Sequence, residues 1–108
     1  MLTVNDIKKA SYNFITSYKK VYNDKNKRNE FLLKWTGEDD IFEKRYCISV
    51  DLVAKAVARY FNIDYKKVED LLINSKTTNL PKVHYHRDRK GSYSSKAYNH
   101  YYYLGDIK

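Results

Sequence analysis

Two runs of helical periodicity meet at Asn62-Ile63-Asp64, and this three-residue break constrains the chain more than any other feature. Before it, Leu52, Val53, Ala56, Val57, Tyr60 and Phe61 recur at spacings that bury one broad helical face. After it, Val68, Leu71 and Leu72 form the apolar face of a second short helix. Ser49 can cap the first helix, with Asp51 in its first turn, and Asp64 can cap the second. Two short helices joined by three residues have helix-turn-helix spacing, which plain αα-hairpins share.

Upstream, Val4, Ile7, Phe14, Tyr18 and Val21 recur at helical spacing, with Lys8, Lys9, Lys19 and Lys20 away from that stripe. This predicts an amphipathic helix of about five turns. Thr3 and Asp6 stand at capping-box spacing before it, although Glu or Gln is the usual partner. The polar stretch Asn23-Asp24-Lys25-Asn26-Lys27-Arg28-Asn29 reads as a loop. A shorter helix then holds Phe31, Leu32, Leu33 and Trp35 and stops at Gly37, with Trp35 expected in the core. Glu38-Asp39-Asp40 reads as a solvated turn and Arg45-Tyr46-Cys47-Ile48 as a brief strand, with Cys47 a buried small residue.

After Asn74 the pattern turns β-prone. Pro81 precedes the alternating run Lys82-Val83-His84-Tyr85-His86. Arg87-Asp88-Arg89-Lys90-Gly91-Ser92 reads as a charged turn. Residues 97–104, rich in tyrosine, give a second strand, with a helix over 95–104 as the alternative. The predicted fold class is α+β: a helix-rich N-terminal part, a helix-turn-helix and a C-terminal basic β-hairpin. It forms a single domain over residues 1–108, in which residues 1–40 are a helical extension of a unit over 41–104.

The 108 residues leave no room for two independent cores. No apolar run approaches the ~18 residues of a membrane span, and the N-terminal residues lack a signal peptide's apolar stretch. One cysteine makes neither an internal disulfide nor a multi-cysteine zinc site. The reading is therefore a cytoplasmic basic domain with no membrane association. Frequent Lys, Asn, Ile and Tyr are what a low-GC genome produces by codon bias alone. Such bias should raise the acidic count too, yet 21 Lys+Arg stand against 13 Asp+Glu. The excess is also uneven. Residues 1–36 carry eight basic and three acidic side chains, residues 37–74 six and eight, and residues 75–108 seven and two. Two basic ends around a near-neutral middle point to an anionic partner.

The order of helix, short strand, helix, turn, helix and basic hairpin resembles the winged helix-turn-helix family over residues 41–104. The stretch from Ile48 to Ile63, followed by Val68-Glu69-Asp70-Leu71-Leu72, is also similar to the start of the DNA-binding domain of bacterial replication initiators. Ser75-Lys76-Thr77-Thr78-Asn79-Leu80-Pro81 stands where that family's basic loop and signature helix follow. The winged-helix resemblance implies that the second helix of the pair enters the major groove while the wing meets backbone or minor groove. Lys66 and Lys67 are the candidate contacts in that helix, opposed by Glu69 and Asp70.

The hairpin supplies Lys82, Arg87, Arg89, Lys90 and Lys96 beside Tyr85, Tyr93, Tyr98, Tyr101 and Tyr102, of which Tyr98, Tyr101 and Tyr102 are the candidate contacts. Lys and Arg track phosphates, and tyrosine rings stack on unpaired bases. The same pattern would arise if alternate tyrosines covered a core and the arginines were merely solvated. The expected function is a non-enzymatic nucleic-acid-binding protein, DNA first with strandedness open, acting as an accessory or regulator of a phage or mobile element. One alternative is an inhibitor or cofactor docked on a replication or defence enzyme such as a polymerase, primase or CRISPR effector. Another is a small RNase using His84, His86 and His100, which also have metal-ligand spacing if His100 faces the other two across the hairpin. With no cysteine near and no carboxylate beyond Asp88, neither a catalytic metal nor another cofactor is expected. Three glycines leave no material for a phosphate-binding loop.

Overall fold

A computed structural model describes residues 2–38, 46–74, 85–89 and 98–107, with Asn74, Asp106, 85–89 and 98–100 as backbone alone. The elements are α1 (Val4–Val21), α2 (Lys25–Trp35), β1 (Cys47–Ser49), α3 (Val50–Phe61), α4 (Tyr65–Asn74), β2 (Tyr85–Arg89) and β3 (Tyr98–Tyr103), followed by a 3-10 turn at Leu104–Asp106. The fold class is α+β, with a small antiparallel sheet of strand order β1-β3-β2. No helix among the described residues is long and apolar enough to cross a membrane.

The capping box of α1 forms with aspartate in the role of glutamate. Thr3 N donates to Asp6 Oδ2 at 2.9 Å, and Asp6 N donates to Thr3 Oγ1 at 3.2 Å. The buried line of α1 is Ile7, Ser11, Ile15 and Tyr18, continued by Tyr22 just past its end. Val4, expected in that stripe, is 46% exposed, and Phe14 turns toward α2 to stack on Phe31 at 5.2 Å between centroids. Ser11 is tolerated in the core because its hydroxyl donates to the Ile7 carbonyl at 2.8 Å.

Of the stretch read as a loop, Asn23 and Asp24 form the turn and residues 25–29 are instead the start of α2. Asp24 caps it, accepting from the amides of Asn26 and Lys27 at 3.1 and 3.2 Å. Buried Arg28 fastens it by donating to the Tyr22 carbonyl at 2.9 Å, with its guanidinium 4.7 Å from the centre of the Tyr22 ring. The helix ends where expected, at Gly37, whose φ of +78° favours glycine. Leu33 and Trp35 are exposed, contrary to the core position expected for Trp35, because only Leu32 on that turn points into the interior.

β1 lies slightly later than expected, and Cys47 is fully buried in it. Ser49 ends the strand and caps α3, accepting from Leu52 N at 3.1 Å. Asn62 adopts a left-handed conformation (φ 55°, ψ 53°) that stops α3, and Asp64 Oδ1 accepts from Lys66 N at 3.1 Å as α4 starts. Val68 and Leu72 carry the buried face of α4, with Leu71 half-buried.

Residues 98–103 are a strand, and the helical alternative is excluded for them. Ile48 and Tyr85 both pair in register with Tyr102, on opposite sides of β3. The ladder continues to Arg87↔His100 and Arg89↔Tyr98, so Arg87, Asp88 and Arg89 lie in β2 and not in a turn. β2, like β1, is an edge strand of the described sheet, a position where charged residues discourage unwanted pairing. Lys82, His84, Lys90, Lys96, Arg45, Asp39, Asp40, Gly91 and Ser92, together with 75–81, lie outside the described residues.

One core runs from Ile7 through Tyr18, Leu32, Val53 and Val68 to Tyr102, Leu104 and Ile107. Leu104 N donates to the Tyr46 carbonyl at 2.9 Å, and Lys19 Nζ donates to the Ile107 carbonyl at 2.6 Å. These bonds tie the residues after β3 to both β1 and α1.

Candidate nucleic-acid interface

The sequence candidates fall on two elements, α4 and the β2–β3 pair. The cap at Asp64 places Lys66 and Lys67 in the first turn of α4, both exposed. Lys66 Nζ lies 3.7 Å from Glu69 Oε1 and 5.1 Å from the Tyr65 ring centre. The Tyr65 hydroxyl, then the charges of Tyr65 and Glu69, hold the Lys66 ammonium above the ordinary lysine range. Its charge is therefore partly engaged on its own helix, leaving Lys67 as the less encumbered cation of the pair.

Behind these lysines a polar cluster joins α3 to α4. Tyr65 donates to Asp51 Oδ1 at 3.0 Å, and Lys55 Nζ lies 3.0 Å from Asp51 Oδ2 while also pairing with Glu38. Burial alone would raise the Asp51 carboxyl, but hydrogen bonds from Lys55, Glu69 and Tyr65 outweigh it and hold Asp51 below the usual range. Burial likewise opposes the Lys55 charge, and its two carboxylate partners reverse that effect, keeping its pKa above the lysine norm. Glu69 moves the other way: burial, then its hydrogen bond to Asp51 and the Asp51 charge, push it up, with Lys66 opposing. Glu69, which the sequence marks as an obstacle to phosphate, is thus part of a tie between helices.

The sign of the Glu69 shift fixes an expected result. A carboxyl that titrates higher folded than unfolded costs stability as pH rises through the interval between its two values. Glu69→Gln should therefore raise the melting midpoint above wild type by more at about pH 7 than at about pH 4, near the unperturbed glutamate value. An equal change at both pH values, measured by thermal melts, would mean that the Lys66 contact offsets the penalty.

On the hairpin, the backbone places Arg87 and Arg89 along β2 and Tyr98 at the start of β3. Tyr101 is half-buried. Tyr102, named among the candidate stacking rings, is fully buried between β1 and β2. It is corrected to a core residue, because the alternation of β3 turns it inward while leaving Tyr103 exposed. The register pairs His100 with Arg87 and His86 with Tyr101, so His86 and His100 are not directly paired across the strands, and His84 lies outside the described residues. Among the described residues, no group of three or more His, Cys, Asp or Glu is placed to hold a metal. Comparison with family models, with curated proteins and with solved structures finds no match for the chain.

Proposed function

We propose that the chain is a non-enzymatic, winged-helix-type protein that binds nucleic acid, DNA first, in an accessory or regulatory role. The observation that carries this reading is the strand order β1-β3-β2 around a preceding α3–α4 pair. That arrangement supports a winged-helix reading, in which β2 and β3 would form the wing. The net positive charge of residues 75–108 falls on the hairpin half of the chain, which supports a wing that tracks phosphates. The carboxylates around α4 support giving the hairpin, rather than the helix, the larger share of the binding surface. Arg87, Arg89 and Lys90, with Lys82 and Lys96, are the proposed phosphate ligands, and Lys66 and Lys67 contribute from α4. Tyr98 and Tyr101 remain candidate stacking rings.

Binding of the full chain to labelled single- and double-stranded oligonucleotides, followed by fluorescence anisotropy across a salt series, tests the reading. Changing Arg87, Arg89 and Lys90 together to Ala should weaken binding to all sequences. It should also flatten the log–log salt dependence by about 0.7–0.9 for each phosphate that the chain no longer neutralises. Tyr101→Ala should selectively weaken single-strand binding. If the hairpin changes leave affinity and slope untouched while Lys66→Ala with Lys67→Ala abolishes binding, the nucleic acid sits on α4. A wild-type chain that binds no oligonucleotide at low salt overturns the function itself.

A further inference from the structure

A cavity of about 600 Å³ opens between α1, α2 and the C-terminal turn of α3. This lies inside the range of about 300–1,000 Å³ typical of small-molecule sites. Its walls are aromatic: Phe14 from α1, Phe31 and Trp35 from α2, Tyr60 and Phe61 from α3. Phe31 stacks on Phe14 and lies 6.5 Å from Trp35, while Tyr60 and Phe61 meet edge to face at 4.9 Å. The rings therefore brace one another and still leave Trp35 37% and Tyr60 68% exposed. Large aromatic rings left in water around a concavity mark an interaction site rather than a surplus of core.

The same cavity has a polar side. Lys9, Asn13 and Ser17 line it from α1 at successive steps of four residues, which places them along one face of the helix over about 12 Å. Lys34 Nζ lies 5.3 Å from the centre of the Trp35 ring and adds positive charge beside it. Among the described lining residues the one carboxylate is Asp6, which accepts from the Thr3 amide in the α1 capping box, stays ionised and also feels the Lys9 charge. Lys9 and Lys34 against Asp6 leave the cavity net positive, and with aromatic walls and two neutral hydrogen-bonding side chains this favours a flat ring system bearing a negative charge.

We propose that this cavity binds a small aromatic anion, its rings against Phe31, Trp35 and Tyr60, its charged group on Lys9 and its polar edge along Asn13 and Ser17. None of the described residues of α4, β2 or β3 lines the site, so the proposal does not depend on nucleic-acid binding.

Trp35 is the only tryptophan of the chain, so its emission reports on the cavity directly. The probe is anilinonaphthalene sulfonate, an aromatic sulfonate, titrated into the full chain, with its neutral relative phenylnaphthylamine in parallel. Saturable quenching of Trp35 at one probe per chain is expected, with a higher melting midpoint at saturation, which binding to an unfolded or loosened state does not give. Lys9 and Tyr60 are exposed, so substitutions there leave the core intact. Lys9→Gln should weaken the sulfonate by about tenfold or more while leaving the neutral probe unchanged, and Tyr60→Ser should weaken both. Absence of saturable quenching, or a Lys9→Gln chain that binds both probes as wild type does, would overturn the proposal. So would Trp35 emission that varies with protein concentration alone while sedimentation reports a dimer, because a second copy would then fill the cavity.

Discussion

Removal of residues 1–22 is expected to leave a chain with no cooperative melt. Ile7, Ile15, Tyr18 and Tyr22 are all buried and would go with it. Each large apolar side chain contributes about 1.5–3 kcal/mol on burial, so the four together are comparable with the ~5–15 kcal/mol that holds an ordinary domain. The loss also reaches β1: Tyr22 Oη accepts from Tyr46 N at 3.0 Å, and the two rings meet edge to face at 5.0 Å. Ile107 would be deprived of the Lys19 ammonium bonded to its carbonyl. Circular dichroism during heating checks this. A truncated chain with a sharp transition near the full-length midpoint would show that α1 is an appendage.

Tyr102→Ala should be the most damaging single substitution in the sheet. The ring is fully buried in the middle strand, flanked by Ile48 and Tyr85 in the register. Truncating an aromatic residue at such a site costs about 3–5 kcal/mol, through forfeited transfer energy and the cavity left behind. At roughly 4–8 °C per kcal/mol for a domain near this size, the melting midpoint should fall far below wild type. The neighbouring Tyr103→Ala should cost less, because that ring is 39% exposed, lying over Gly105 and edge to face with Tyr46 at 6.1 Å between centroids. A greater loss from Tyr103→Ala than from Tyr102→Ala would mean that β3 presents the opposite face to the core.

The contrast between these tyrosines shows where the sequence is legible. α1, the Ser49 and Asp64 caps, the Asn62 break and the Gly37 stop depend on spacings of three or four residues, and each is readable from its own neighbourhood. Tyr101-Tyr102-Tyr103 has no such signature: three identical residues acquire an inside and an outside only when β3 is paired on both sides. The first turn of α2 is hidden for a related reason. Its polar residues lack an apolar stripe, and its anchor is an arginine held by the Tyr22 carbonyl and ring. In the candidate interface, the exposure of Lys66 and Lys67 follows from the Asp64 cap. The role of Glu69 does not, because its partner Asp51 lies on the preceding helix. Trp35 reads as core from Leu32 and Leu33 alone, and only the packing of α1 and α3 turns it into a cavity wall.

The pairing of β1 with β3 also sets a schedule. Ser49 meets Tyr101, about fifty positions later in the chain, whereas the packing of α3 on α4 spans a single turn. At ribosomal speeds of ~5–20 residues per second, Cys47 and Ile48 have been made for roughly 3–10 s before their strand partner exists. The helices, with their shorter loops to close, can assemble within that interval. Until β3 emerges, the backbone of β1 lacks the strand that pairs with it in the finished fold, beside two residues that the finished fold buries completely.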